Sequence, residues 1–275
     1  MNIWEFSLLV WFCSFTAGFV GALSGLGGGV VIVPLLTSVF GVDIRYAVGA
    51  SLVSVIATSA GAASTYIKQG FTNLRLGMFL EVATTIGALI GALIATFVSV
   101  KALTIVLAIV LLYSAYLSQQ PRPENSETEA LDPIASNLKL NGTCPTANGL
   151  MPYQVRAVPA GFSIMLGAGI LSGLLGIGSG GFKVLAMDQA MRLPFKVSTT
   201  TSNFTIGVTA AASAGVYLAR GYIDPGLSMP VILGVLPGAL LGAKVLIGAQ
   251  TRILRIVFSF VLVLMAFKMV YNSII

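Results

Sequence analysis

The sequence predicts an all-α polytopic membrane protein made of two homologous repeats of about four spans each, with helices broken at glycines. Three observations carry the prediction: an apolar excess that water cannot accommodate, a succession of long apolar segments, and a Gly-rich break that recurs at one fixed spacing. Hydrophobic residues make up 56 % of the chain and charged residues 9 %, and the mean hydropathy is +0.96. A soluble domain carries about 25 % charged residues and cannot bury this much apolar surface, so lipid is the solvent that fits.

Apolar segments run in order over residues 3–23, 30–40, 46–66, 74–98 and 102–116, then 158–175, 182–191, 197–218, 227–247 and 253–271. Crossing a bilayer takes about 20 apolar residues, and six or more of the segments qualify. Segments 30–40 and 182–191 are too short. At roughly 15–18 Å they read as half-helices that begin inside the membrane. Segment 3–23 lacks a basic n-region and an A-x-A site, so it reads as a retained span. Residues 118–157 break the pattern with Glu124, Glu127, Glu129 and Asp132 and with Pro121, Pro123, Pro133 and Pro145. This composition predicts a mobile hydrophilic linker. It divides the chain into a first transmembrane repeat (1–117), the linker (118–157) and a second repeat (158–275). Counting each short segment as a span gives five per half, and with both ends outside that places the linker in the cytoplasm.

The halves match without a gap. Gly25-Leu26-Gly27-Gly28-Gly29 aligns with Gly176-Ile177-Gly178-Ser179-Gly180 at an offset of 151 residues (176 − 25). The same offset pairs Arg45 with Lys196, Ser51 with Ser202, Tyr66 with Tyr217, Gly70 with Gly221 and Lys101 with Arg252. It also sets Gly87 and Gly91 on Gly238 and Gly242. Duplication of this kind is common in secondary transporters, whose substrate lies between the repeats. Channels are duplicated too, so both classes stay open.

The Gly-rich breaks are the first candidate site. Backbone outside a helix is tolerated in hydrocarbon only where protein buries it or a cavity takes it. A half-helix starting there points free N–H groups and a positive dipole end inward, which suits an anion. Substrate-binding candidates are therefore Gly25, Gly27, Gly28 and Gly29, with Gly176, Gly178, Ser179 and Gly180. Gly87/Gly91 and Gly238/Gly242 read instead as close helix packing. The run Ser198-Thr199-Thr200-Thr201-Ser202-Asn203 either caps a helix or faces inward. Because it continues past one turn, Thr199, Ser202 and Asn203 join the candidates, with Ser51 from the first half. The first half keeps only that serine, so recognition is expected to be lopsided.

Charge adds three more. Lys183, just past the second break, is a cation inside a membrane segment and a candidate anion contact; pairing with Asp188 or snorkelling are its alternatives. Glu81, two turns into an apolar helix, and Asp188 are candidates for proton coupling. The other basic residues, among them Arg45, Lys68, Arg75, Arg192, Lys196 and Arg220, fall near segment ends, where they snorkel and set orientation. The chain has no histidine and two cysteines, Cys13 and Cys144. No catalytic residue, metal site or cofactor is therefore expected. The expected partners are the lipid bilayer and a small anionic substrate, not nucleic acid; a homodimer is compatible with the sequence.

Both Gly-rich loops, the first continuing as Val30-Val31-Ile32-Val33-Pro34, resemble those of the TauE/SafE family of sulfite and organosulfonate exporters, also called the toluene-sulfonate uptake permease family. The basic-then-Ser/Thr helix starts and the later Gly70 and Gly221 resemble it as well. The resemblance covers the chain except the linker. It implies a multi-pass carrier of the bacterial inner membrane that moves small sulfur-containing or related anions with proton coupling; members differ in substrate and direction, and export of sulfite or an organosulfonate is the expectation here. Ser179 departs from an all-Gly loop, and the resemblance assigns nothing to Lys183. A passive anion channel is the main rival, and an integral-membrane enzyme of sulfur metabolism the lesser one.

Overall fold

The computed structural model of the protein describes residues 3–25, 27–119, 132–146 and 149–249, with positions 256, 259, 260, 263, 264 and 267 of the C-terminal segment. Most of the expected last span, and Glu124, Glu127 and Glu129 of the linker, lie outside the described residues.

The chain is helical almost throughout. The elements are α1 (Ile3–Ser24), α2 (Gly29–Ser38), α3 (Ile44–Lys68), α4 (Leu74–Ala95), α5 (Val100–Gln119), a short α6 (Pro133–Asn137), a hairpin of β1 (Gly142–Thr146) and β2 (Gly149–Tyr153), α7 (Val158–Leu175), α8 (Gly180–Leu185) running into a π-helical turn (Ala186–Ala190), α9 (Phe195–Ala219) and α10 (Pro225–Gly248). Among the described residues five helices are long and apolar enough to cross a membrane: α1, α3, α4, α7 and α10. Helix α9 matches α3 at 25 residues. Its Ser/Thr run faces protein, not lipid, with Ser198 through Asn203 fully buried.

Local chemistry sets the helix ends. Asp43, Asn73 and Asp224 accept N–H bonds from Arg45, Leu76 and Gly226 and so cap α3, α4 and α10. After α3 and α9 the chain turns through left-handed glycines, Gly70 (φ 74°) and Gly221 (φ 73°), as helix C-termini commonly do.

Small residues set the packing. Gly234, Gly238 and Gly242 of α10 abut the carbonyls of Trp11, Phe15 and Phe19, so α1 and α10 run parallel in close contact. Gly87 and Gly91 of α4 abut Leu166 and Ile170 of α7, and Gly169 and Gly173 return the contact to Thr84 and Ala88. The four glycines predicted to serve helix packing do so. Between these pairs α3 and α9 cross antiparallel: Gly49 meets Tyr222, and Ser59 bonds Asn203 O. Helices α1, α3 and α10 thus begin on one face, called here the N-terminal face. Helices α4, α7 and α9 begin on the opposite one, the cap face. Outward-pointing Ile86, Ile90 and Leu93 on α4 and Leu233, Leu240 and Val245 on α10 present an apolar surface to lipid.

Both short segments are half-helices. Helix α2 folds back along α1, placing the Phe40 ring 5.3 Å from Phe6. The segment after α8 folds back along α7, seating Met191 against Gly161. The linker differs from expectation. Residues 132–146 and 149–157 are folded, with Ala135, Leu140 and Val155 buried. Asn73 Nδ2 donates to Leu140 O (2.8 Å) and Tyr153 Oη (2.9 Å), fastening the hairpin over the cap face. Apolar burial and these bonds outweigh the polar composition that suggested a mobile tether.

Candidate functional site

Each break is a left-handed turn that then opens a half-helix. Gly25, Gly27 and Gly28 have φ of 79°, 74° and 75°, and Gly176, Gly178 and Ser179 have 65°, 73° and 54°. Glycine is needed here for space as well as conformation. A Cβ on Gly27 or Gly178 would lie 2.8 or 2.9 Å from the same side chain, Ile206. The loops therefore meet at the centre of the molecule, against Val55 and Ile206. Gly29 and Gly180 open α2 and α8 and are buried.

Ser51 and Ser202, expected as anion contacts, instead tie the loops together. Ser51 Oγ donates to Gly176 O (2.8 Å), while Ser202 Oγ lies 3.1 Å from Gly25 O and 3.2 Å from Gly180 O. In this arrangement their hydroxyl hydrogens bond loop carbonyls. Asn203 Nδ2 donates to Ala22 O (3.0 Å) and Tyr66 Oη (3.5 Å), and Tyr66 Oη donates to Ala22 O (3.0 Å). The polar run does not cap α9, whose N-cap is Pro194 without a side-chain bond. Thr200 and Thr201 instead bond Phe71 O and Asn73 N in the α3–α4 turn. Among the expected site residues, Ser179 Oγ, Thr199 Oγ1 and Asn203 Oδ1 are buried without a hydrogen-bond partner, as are Ser198 Oγ of the same run and Ser172 Oγ before the second break.

Lys183 pairs with neither Asp188 nor solvent. Its Nζ lies 2.6 Å from Glu81 Oε2, and also 2.6 Å from Thr209 Oγ1 and 3.2 Å from Thr205 Oγ1. Thr209 donates in turn to Glu81 Oε1 (2.5 Å), with Thr84 Oγ1 2.9 Å from Oε2 and Thr85 Oγ1 3.3 Å from Oε1. Lys183 is 1 % exposed and Glu81 4 %, so both charges sit out of water and neutralise each other. Gly77, Met165, Met187 and Thr201 pack around the pair. Asp188 is buried in the π-helical turn and accepts from Gln189 Nε2 (3.4 Å), apart from this network.

Sequence reasoning named Glu81 and Lys183 but not Thr205 and Thr209. The signal was present: Thr201, Thr205 and Thr209 repeat every four residues and so share one face of α9. Among the described residues no cluster of His, Cys, Asp and Glu is placed to hold a metal ion.

A duplicated Gly-rich break inside a multi-pass helical protein narrows the families to consider. The sequence profile described as "Sulfite exporter TauE/SafE" matches residues 10–269. The chain belongs to that family. This TauE/SafE protein is similar to two proteins of Bacillus subtilis (strain 168). The "Probable membrane transporter protein YunE" is 28 % identical over 268 residues, covering 94 % of this chain and 95 % of its own. The "Probable membrane transporter protein YdhB" is 26 % identical over 238 residues, covering 86 % and 89 %. No solved structure matches significantly. Family and helices together make this TauE/SafE protein a multi-pass membrane protein of the bacterial type.

Proposed function

We propose that this TauE/SafE protein is a secondary transporter of a small anion such as sulfite or an organosulfonate, working by alternating access between two inverted repeats and coupled to protons. On this reading it is a carrier, not an enzyme. The observation that carries the proposal is the trio of unpartnered buried atoms, Ser179 Oγ, Thr199 Oγ1 and Asn203 Oδ1, around the meeting loops. A buried polar group left unpaired costs about 1–3 kcal/mol, so three together favour an occupant that completes them. An oxyanion accepts from the two hydroxyls, while Asn203 Oδ1, its Nδ2 remaining committed to Ala22 O, takes a donor carried by the ligand, such as the O–H of bisulfite. The positive dipole end of α2, which opens at Gly29 beside these loops, adds to its binding. All three side chains belong to the second half, in keeping with lopsided recognition.

Paired contacts support the repeat architecture. Ser51 to Gly176 and Ser202 to Gly25 are one bond repeated at the offset of the sequence match. So are Tyr66 to Ala22 and Tyr217 to Gly173. The antiparallel crossing of α3 and α9 favours inversion, the arrangement in which one half can rock against the other about a fixed site.

Coupling falls to Glu81 and Lys183. A proton on Glu81 leaves the Lys183 ammonium uncompensated in a low-dielectric site, which an incoming anion can balance. Proton and anion then travel together, in whichever direction their gradients sum. The family's description makes sulfite the first substrate to try and export the first direction.

The test is binding and transport of sulfite, sulfoacetate, taurine, thiosulfate and carboxylates, using purified protein and proteoliposomes with an imposed pH gradient. Ser179→Gly is expected to stabilise the fold by about 1 kcal/mol by relieving left-handed backbone while weakening anion binding. Asn203→Ala should lose binding. Unaltered binding in both variants sinks the site, and anion current indifferent to the pH gradient makes the protein a channel.

A further inference from the structure

On the N-terminal face a shallow cleft opens between the start of α3 and the ends of α4 and α9. Arg45, Arg220, Tyr217, Tyr222, Thr96 and Val48 line it. Arg45 packs its guanidinium over the Tyr222 ring (5.7 Å to the centroid) and donates from Nη1 to Tyr222 Oη (3.4 Å). Arg220 is exposed and makes no ion pair or hydrogen bond through its side chain among the described residues. No carboxylate lines the cleft. Asp43 and Asp224, on the same face, are turned to helix N-termini, accepting N–H bonds from Arg45 and Gly226. Two cations at a partly enclosed surface with low-dielectric walls focus a positive potential.

The cleft also leads somewhere. Val48, on its floor, packs directly on Gly176 of the second break, and Tyr217 Oη donates to Gly173 O one turn before it. The corresponding positions on the cap face are engaged by protein. There Lys196 Nζ donates to Ile247 O (2.8 Å) and lies over the Phe71 ring, while Tyr66 and Phe195 are buried. The counterparts of Arg220 and Tyr222 at the repeat offset are Gln69 and Phe71, so the second cation and the second hydroxyl belong to the N-terminal face alone.

We propose that the Arg45–Arg220–Tyr222 cleft is a second anion site, which captures small oxyanions from solvent and delivers them to the second Gly-rich break. It rests on the reading of the protein as an anion carrier. Arg45 supplies an oriented guanidinium, Arg220 an exposed one and Tyr222 a hydroxyl, a donor set suited to a sulfonate or sulfite.

The experiment places a thiol in the cleft by Thr96→Cys in a Cys13→Ala/Cys144→Ala background. Its rate of modification is compared for two methanethiosulfonate reagents, sulfonatoethyl (anionic) and trimethylammonioethyl (cationic), each normalised to a free thiol in solution. The anionic reagent should gain about fivefold over the cationic one at low salt. Arg220→Gln and Arg45→Gln should each reduce that gain, and sulfite should slow the anionic reagent. Thermal unfolding of each variant checks that it is folded. A rate ratio unchanged by both arginine replacements overturns the site. The readout does not depend on transport, so an intact ratio in a protein that moves no anion rejects the carrier reading and leaves the cleft as an anion site.

Discussion

Glu81 and Lys183 show how much a single contact governs here. Two charges removed from water are tolerated because each satisfies the other and threonine hydroxyls saturate the remaining positions. Removing one partner leaves a buried charge with no compensation. Glu81→Gln alone, or Lys183→Met alone, should therefore destabilise by about 3–5 kcal/mol, while the double variant should recover most of that loss. Detergent unfolding of the four proteins of this cycle measures it, and additive losses would mean that the pair is not coupled. The sequence exposes both residues as charges in apolar segments, yet not as partners. They lie 102 positions apart, and only the packing of α4 and α8 against α9 brings them together. Ser51 and Ser202 teach the converse. Their conspicuous polarity is legible, but its use on loop carbonyls follows from where the neighbouring loops fold.

Among the elements, the helix pairs are the most legible part of the fold, because glycines four residues apart mark a face on which backbones touch. A Cβ on Gly238 would sit 2.1 Å from Phe15 O, and one on Gly91 2.0 Å from Ile170 O. Backbone cannot yield as a side chain can. Gly238→Ala should push α1 from α10 and cost about 1–3 kcal/mol. Gly215→Ala, on α9 with open space around it, should be neutral or stabilising by up to about 1 kcal/mol. Equal melting temperatures for the two variants would refute the contact. The linker was the least legible element. Prolines at 145 and 152 argue against strands, but each strand of an isolated hairpin has a free edge on which proline is tolerated. Asp132 secures it, accepting N–H bonds from Val158, Ile134 and Ala135 that hold its carboxyl below the usual range. A depressed folded-state pKa contributes stability above the unfolded value near 3.9 and loses it as pH falls through the lower folded one. The protection factors of Val158 and Ile134 against amide exchange should thus hold from about pH 8 to 5 and fall only below about pH 4. Asp132→Ala should lower them throughout the upper range, with a cost of about 1 kcal/mol.

At the scale of the whole molecule the two faces differ although the halves match. The gapless register of the halves is legible and so is α9 as segment 197–218, but the burial of its whole polar run is not. Which face is open is not legible at all, since the same paired positions make a cleft on one side and a seal on the other. On the N-terminal face, Thr96 lines the opening above Val48. Its counterpart at the offset, Ile247, holds Lys196 on the cap face, beside the turn to which Asn73 fastens the hairpin. If inverted repeats exchange conformations, the halves must trade these roles, opening the cap face as the N-terminal face closes. Thiols placed by Thr96→Cys and by Ile247→Cys, each free of Cys13 and Cys144, report the exchange to a membrane-impermeant reagent applied from the matching side. At rest the Thr96 position should react quickly and the Ile247 position slowly. Under a pH gradient with transported anion, the first should slow and the second quicken, in proportion. A channel would hold both constant, because a pore open at both ends has no second state to visit. A rise at Ile247 without a fall at Thr96 would mean that the hairpin loosens locally, with no rocking of one half against the other.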